Sequence, residues 1–200
     1  MFVGIVQGMG KIIAKALIEK GLRLSIAYPA ESGLKIGDSI AVNGCCLTVT
    51  RFDHDHFEVE LVQETLDKTN LGALSVDDPV NIEYSAKIGD SIGGHFVQGH
   101  IDTTGEVIEQ WQDGVAKWLR IRFDKQWQLL LVPKGFITVD GASLTVVEAN
   151  QTDFTLTLIP HTQQVTITQY YQVGTIVNLE FDILGKQIQR FMEHYNALKV

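Results

Sequence analysis

The sequence predicts an all-β protein in which one small closed barrel is written twice in tandem and followed by a single amphipathic α-helix. Three observations predict this. The chain repeats itself at a nearly constant offset. Each repeat is a series of short apolar segments separated by turn residues. The last residues change from a strand period to a helical one.

The repeat is plainest in Asn43-Gly44-Cys45-Cys46-Leu47-Thr48-Val49 and Asp140-Gly141-Ala142-Ser143-Leu144-Thr145-Val146. Both read polar-Gly-x-(Cys or Ser)-Leu-Thr-Val. Gly4, Gly10, Leu24 and Ile26 meet Gly99, Gly105, Leu119 and Ile121 at an offset of 95. From the Gly44 motif onward the offset is 97: Phe57, Thr65 and Thr69 meet Phe154, Thr162 and Thr166, and Val80-Asn81-Ile82-Glu83 meets Val177-Asn178-Leu179-Glu180. One short loop insertion accounts for the change.

Within the first unit, strands are expected at 3–6, 22–27, 39–42, 47–52, 56–62 and 79–84, where β-branched or alternating residues collect. Gly21, Pro29, Gly33, Gly37, Asn43-Gly44 and Gly72 break them. Short strands at this spacing suit a small barrel better than βαβ units. Residues 11–19 have some helical character, but their counterpart does not, so strand plus loop is expected. Residues 63–71 and 160–168 each have room for a helical turn, and 87–94 is a Gly-containing linker. Leu184, Ile188, Phe191, Tyr195 and Leu198 recur at spacings of three and four with Met192 beside them, which predicts an amphipathic helix outside the repeat. The expected divisions are 1–88, 95–184 and 185–200.

The net charge of -8 argues against a general nucleic-acid or anionic-membrane binder. The start lacks a basic region leading into an apolar one, so no secretory signal is expected, and no apolar run reaches membrane-spanning length. Cys45 and Cys46 are the only cysteines. Adjacent strand residues point to opposite faces, so no disulfide and a reducing cytoplasm are expected. His95 and His100 have no third ligand at a fitting spacing, and Asp53-His54-Asp55-His56 reads as a solvated hairpin turn, so no metal is expected. Gly4, Gly8, Gly10 and Lys11 fit neither phosphate-loop nor dinucleotide spacing.

Several of these stretches together resemble a known family. Met-Phe-x-Gly-Ile-Val at the start, the two Gly-x-(Cys or Ser)-Leu-Thr-Val motifs, Glu64-Thr65-Leu66, Gly93-Gly94-His95, Gly99-His100, Lys134-Gly135-Phe136-Ile137, Ile159-Pro160-His161-Thr162 and Asn178-Leu179-Glu180-Phe181-Asp182 are similar to riboflavin synthase of the alpha-chain type. The resemblance covers nearly the whole chain. It implies two tandem six-stranded Greek-key barrels (lumazine-binding repeats) and a C-terminal helix that holds a homotrimer. The implied reaction turns two molecules of 6,7-dimethyl-8-ribityllumazine into riboflavin and a pyrimidinedione, with no cofactor. The implied site lies between the N-terminal barrel of one subunit and the C-terminal barrel of the next. Association with a lumazine synthase is also open.

A reaction between two copies of one substrate suits a duplicated fold, since each barrel can offer the same pocket to the same ring. By resemblance, Gly4, Ile5 and Val6 form a ring-binding segment, as do Gly99, His100 and Ile101. Cys46 and Thr48 share one strand face with Leu47 on the other, and Ser143, Leu144 and Thr145 repeat them. Lys134 reaches the ligand. Thr65 and Thr162 contact the ring. Glu60, Leu61, Val62, Gln63 and Glu64, with Thr157, Leu158, Ile159, Pro160 and His161, supply strand-edge backbone. Asp182 is a nearby carboxylate. The expected catalytic set is Cys46, His100, Ser143, Ser39 and Thr145, with His100 as proton relay. Which barrel holds the donor of the four-carbon unit, and which group is the nucleophile, stay open. Val3 stands where the family usually has Thr. The alternative readings are a lumazine- or flavin-carrying antenna protein, disfavoured because Ser143, Thr145, His100 and Lys134 are all present, and a tandem barrel interaction module.

Overall fold

The computed structural model describes residues 1–28 and 34–197. The expected breakers Pro29 and Gly33, and Leu198 of the expected apolar stripe, lie outside the described residues.

The first unit contains β1 (Gly8–Ile18), β2 (Gly21–Ala27), β3 (Ser39–Val42), β4 (Cys45–Phe52), β5 (His56–Val62), α1 (Gln63–Lys68) and β6 (Pro79–Tyr84). The second contains β7 (Thr103–Asp113), β8 (Ala116–Arg122), β9 (Phe136–Val139), β10 (Ala142–Ala149), β11 (Asp153–Leu158), α2 (Pro160–Val165) and β12 (Ile176–Phe181). The helix α3 (Ile183–Ala197) follows. Each unit closes into a six-stranded antiparallel barrel, in the orders β1-β2-β5-β4-β3-β6 and β7-β8-β11-β10-β9-β12. Placing β2 beside β5 rather than β3 is the Greek-key step.

Alternation along the strands builds two cores of the same plan. Ile12, Leu24, Ile26, Ile40, Val42, Leu47, Val49, Phe57, Val59 and Leu61 fill the first. Val107, Leu119, Ile121, Ile137, Val139, Leu144, Val146, Phe154, Leu156 and Leu158 fill the second. They correspond one to one across the repeat. Each such side chain contributes roughly 1.5–3 kcal/mol by leaving water, so the same inward set folds the same barrel twice.

Two expectations need correction. Residues 3–6 do not form a strand, because Gly4 adopts φ +75°, a left-handed conformation that no strand accepts. The first strand instead begins at Gly8 and runs to Ile18, so the expected loop in 11–19 shrinks to the turn before Gly21.

The barrels meet at their Asn-Gly and Asp-Gly hairpin turns. Asn43 and Gly44 have φ of 45° and 78°, and Asp140 and Gly141 have 42° and 85°, as a two-residue turn with both φ positive requires. The two turns lie back to back. A methyl group on Gly44 would sit 2.6 Å from the Gly141 nitrogen, and one on Gly141 would sit 2.8 Å from the Gly44 nitrogen.

Buried amides cross this contact in pairs. Asn81 Nδ2 donates to the Asp140 carbonyl (2.8 Å), and Asn178 Nδ2 donates to the Asn43 carbonyl (2.9 Å). Asn81 Oδ1 accepts from the Ile167 N–H and Asn178 Oδ1 from the Asn70 N–H. The symmetry breaks at the Asp140 carboxylate, which accepts from the Asn178 N–H, from Asn70 and from the Tyr171 hydroxyl. Burial pushes this carboxyl up to about 7, against those hydrogen bonds.

Gly44→Ala is expected to cost more than about 2 kcal/mol, through backbone strain and collision with Gly141. Gly37→Ala serves as the comparison: Gly37 also has positive φ but nothing within 4 Å of the added methyl, so it should lose only about 1 kcal/mol. Urea denaturation measures both. The folded state holds protons on Asp140, and on Glu83, also pushed up to about 7 by burial, that the unfolded chain has released. Stability should therefore fall as pH rises from about 4 to 7, by up to about 1.4 kcal/mol per pH unit for each group. Asp140→Asn should flatten that slope, measured as thermal midpoint against pH.

Candidate active site

Each barrel carries one incomplete seam, at the same place. The β4–β5 ladder ends at Val49–Val59, although β4 begins at Cys45 and β5 continues to Val62. The β10–β11 ladder ends at Val146–Leu156, although β10 begins at Ala142 and β11 continues to Leu158. The outer flanks stay paired: β3 holds β4 as far as Cys45, and β2 holds β5 as far as Val62. A register shift at the matching points, after Val49 and after Val146, bends the inner strand away. The stretches at 46–48 and 143–145 thus lack a partner in β5 and β11, and part of their backbone edge stays open, the Cys46 and Ser143 N–H groups excepted, which bond to the Gly99 and Gly4 carbonyls. An amide-edged planar ring can pair with such edges.

Strand register decides which side chains stand beside each seam. Directly opposed residues share a face. Ser39 opposes Thr48 and Ala41 opposes Cys46 in the first barrel. Phe136 opposes Thr145 and Thr138 opposes Ser143 in the second. Cys46, Thr48, Ser143 and Thr145 face outward, while Leu47 and Leu144 are buried in the cores. The adjacent cysteines do point to opposite faces. Cys45 is buried, with its thiol pushed up to about 12 by burial, and is inert.

The leading segments cross between barrels, which the repeat alone did not reveal. The Gly4 carbonyl accepts from the Ser143 N–H, and the Gly99 carbonyl accepts from the Cys46 N–H, both at 2.8 Å. Val6 packs on the second core and Ile101 on the first. Gly4, Ile5 and Val6 therefore border the Ser143 seam, and Gly99, His100 and Ile101 border the Cys46 seam. Two buried glutamates fix the crossing. Glu83 Oε1 accepts from the Val3 and Gly4 N–H groups (2.8 and 3.1 Å), and Glu180 accepts from Gln98 and Gly99 (2.7 and 2.8 Å). Burial raises both carboxyls above the usual range.

The other expected residues fall around the seams. Thr65 and Thr162 are half-buried in α1 and α2, where their carbonyls accept from Thr69 and Thr166. The Glu60 side chain is bound to Arg23 (2.7 Å) and the Gln63 side chain to Asp67 (2.7 Å). Glu64, Ile159, Pro160 and His161 are exposed beside it. Lys134 is exposed with φ +68°, at the position where the first barrel has Gly37. A lysine held in that conformation is a strained residue of the kind that collects at functional sites. Asp182 lines a cleft of about 540 Å³ with Phe136, Gly135 and α3.

The sequence reading missed His95, Glu83, Glu180, Asn81 and Asn178. In the sequence His95 stands out as the end of a Gly-Gly-His motif and as an unfit metal ligand, with no site role expected of it. It is buried, and its Nδ1 lies 2.7 Å from Ser143 Oγ. The other four were visible as polar residues inside apolar strands, repeated in register. Among the described residues, no group of three or more His, Cys, Asp or Glu is placed to hold a metal. In the Asp53–His56 turn, His56 pairs with Asp55. No helix of the described residues is long and apolar enough to cross a membrane.

Residues 3–85 and 98–182 match the family model of the lumazine binding domain. A riboflavin synthase from Actinobacillus pleuropneumoniae is 41% identical over 196 residues, covering 96% of this chain and 90% of that one. The riboflavin synthase of Schizosaccharomyces pombe is 40% identical over 200 residues, covering 98% and 96%. Among solved structures, LumP complexed with 6,7-dimethyl-8-(1'-D-ribityl) lumazine aligns with a TM-score of 0.82 at 25% identity, covering 91% of this chain and 99% of that one. Two tandem lumazine-binding repeats, matched end to end by these enzymes, establish that the chain belongs to the riboflavin synthase family.

Proposed function

We propose that the chain is a four-carbon transferase that converts two molecules of 6,7-dimethyl-8-ribityllumazine into riboflavin and the ribitylamino-pyrimidinedione. The observation that carries this reading is the same open seam in both barrels, each with a Leu-Thr strand edge. Two equal receptors in one fold suit a reaction between two equal substrates. The two products together contain the atoms of two substrates, so the overall reaction needs no external oxidant or reductant.

In this reading each seam binds the amide edge of one ring through backbone, with Thr65 or Thr162 as a hydroxyl partner. Holding two rings in register replaces a bimolecular encounter with an oriented one. One ring must lose a proton from its acidic methyl group, and the other must take a nucleophile at the neighbouring carbon. His100, exposed beside the Cys46 seam, is the proton carrier; a neutral imidazole exchanges protons near neutral pH. Cys46, Ser39 and Thr48 complete that side. On the other side Ser143 and Thr145 bind, and Lys134 approaches a ring carbonyl or the charge that develops on it.

Facing the seams requires more than one chain. The N-terminal barrel of one subunit and the C-terminal barrel of the next would bring their rings together in a homotrimer held by α3. The support is the apolar stripe of α3: Leu184, Ile188, Phe191, Met192 and Tyr195 are exposed, and an apolar helix face left in water marks an association surface.

The LumP likeness supports a second reading, a lumazine- or flavin-carrying protein without turnover. Ser143, Thr145, His100 and Lys134 favour the enzyme. The decisive measurement is to mix the purified protein with 6,7-dimethyl-8-ribityllumazine and follow riboflavin by absorbance. Binding without riboflavin formation would select the carrier. His100→Gln should keep fold and binding while losing about 100-fold in turnover, and Cys46→Ser about 10-fold or more. Wild-type rates would remove these residues from the mechanism. Deleting residues 188–200 should turn a trimer into monomers by sedimentation; a full-length chain sedimenting as a monomer would contradict the assembly.

A further inference from the structure

The two leading segments are held by corresponding bonds that end in different side chains. In the first half the Gln7 N–H donates to the Ile82 carbonyl (2.9 Å), and Gln7 Oε1 accepts from the Tyr84 N–H (2.9 Å). In the second half the Asp102 N–H donates to the Leu179 carbonyl (3.0 Å), and Asp102 Oδ2 accepts from the Phe181 N–H (2.9 Å). Gln7 and Asp102 are repeat partners, as are Tyr84 and Phe181. A neutral amide performs this task in the first barrel. The second barrel carries a carboxylate there, and a charge withdrawn from water needs a reason of its own.

The reason lies on α3. Lys186 Nζ is bound to both Asp102 oxygens, at 3.0 and 2.9 Å. Their side chains are 21% and 13% exposed, so salt screens this pair less than one in open water. The first half has nothing to match it, since the position of Lys186 falls there on Gly89 in the linker. The lysine serves two carboxylates. Glu180, which accepts from Gln98 and Gly99, is favoured in its charged form by Lys186 and disfavoured by Asp102. The segment 98–102 is therefore gripped at its start by Glu180 and at its end by Asp102, with one ammonium from the C-terminal helix answering both. His100 lies between the two grips. The helix is itself fixed where it leaves β12, the Leu184 N–H donating to Asp182 Oδ1 at 3.0 Å.

We propose that Asp102 and Lys186 are positioning residues for the substrate reaction: their ion pair clasps the C-terminal helix to the segment that carries His100, and so sets where the imidazole stands beside the Cys46 seam. This rests on the reading of His100 as the proton carrier at that seam. The segment bordering the Ser143 seam ends instead at the uncharged Gln7. The helix that presents the apolar stripe thus acts on one seam of its own chain through a charge pair that the other seam lacks. Removing the ammonium alone leaves two partly buried carboxylates without a counter-charge, which draws them toward water and the segment with them. Misplacing a reacting group by about 1 Å costs up to about 100-fold in rate.

The test is a double-mutant cycle between Lys186 and His100, read as kcat and KM for riboflavin formation, with sedimentation as the control. Lys186→Met keeps the length of the side chain and removes its charge. With His100 present it should lower kcat about 10-fold, with KM changed less than about threefold and sedimentation as in the wild type. In His100→Gln the same change should cost less than about threefold, because the group it positions is gone. Lys186→Arg, which restores the ion pair, should stay within about threefold of the wild type. Unchanged kcat in Lys186→Met with His100 present, or equal losses in both backgrounds, would overturn the proposal. A wild-type kcat in His100→Gln alone would reject the role of His100 and the purpose of the clasp with it. Asp102→Asn decides the matter if Lys186→Met does not fold or sediments differently. Its amide oxygen can still accept from the Phe181 N–H, as Gln7 does from Tyr84, so only the clasp is lost, and it should show the same dependence on His100. If the wild type binds 6,7-dimethyl-8-ribityllumazine but forms no riboflavin, the activity reading fails by itself. The cycle is then read on the dissociation constant, where coupling between Lys186 and His100 supports the clasp and additivity overturns it.

Discussion

The contact between Gly44 and Gly141 governs the rest of the molecule. Two hairpin turns, each needing positive φ at both central residues, press together with room for hydrogen and nothing larger. The turns close β3–β4 and β9–β10, the hairpins that carry Cys46 and Ser143. Fixing the turns therefore fixes the spacing of the two strands that border the seams. The surrounding amides add direction. Asn81 and Asn178 each reach from their own barrel to the backbone of the other. A buried amide left without such partners costs about 1–3 kcal/mol, so other orientations of the two barrels are penalised several times over.

The same contact explains why neither barrel completes its own seam. The chain enters each barrel by way of the other. Residues 3–6 lie along the Ser143 strand before turning back into β1, and residues 98–101 lie along the Cys46 strand before entering β7. Glu83 and Glu180 hold these crossings by accepting two successive backbone N–H groups each. An isolated half would have a seam edge with no leading segment across it, and its own leading segment, still bound to Glu83 or Glu180, would have no strand of the other barrel to lie along.

The barrels were legible because their cores are written twice. Phe57 with Phe154, or Leu24 with Leu119, signals an inward position with more force than a single apolar residue can. The helical period of α3 was legible for the usual reason, an apolar stripe with polar residues elsewhere. The stretch at 3–6 misled because Ile5 and Val6 look like strand, while the positive φ of Gly4 comes from a contact with Ser143 far along the chain. The crossing of the leading segments was hidden for the same reason. Hydrogen bonds between the Gly4 carbonyl and Ser143, or between Glu83 and Val3, join residues that no local pattern associates. His95 was misjudged because an isolated histidine is legible only through its partners, and its partners are Ser143 and Thr138, some 40 to 50 positions away.

Duplication solves one problem and creates another. Two copies of one barrel bind two copies of one ring without any new invention, but identical pockets would hold both rings in the same electronic state. A transfer between them needs one ring to give and the other to receive. The differences between the repeats therefore carry more chemical information than the matches. Ile5 against His100, Ser39 against Phe136 and Cys46 against Ser143 were readable as single substitutions. The structure joins two of them: Phe136 supplies the face on which His95 stacks, and His95 holds Ser143. Phe136 in place of a serine is thus no lost hydroxyl but part of the support for another one. The scaffold stays symmetric where it must bind and becomes asymmetric where the two rings must differ.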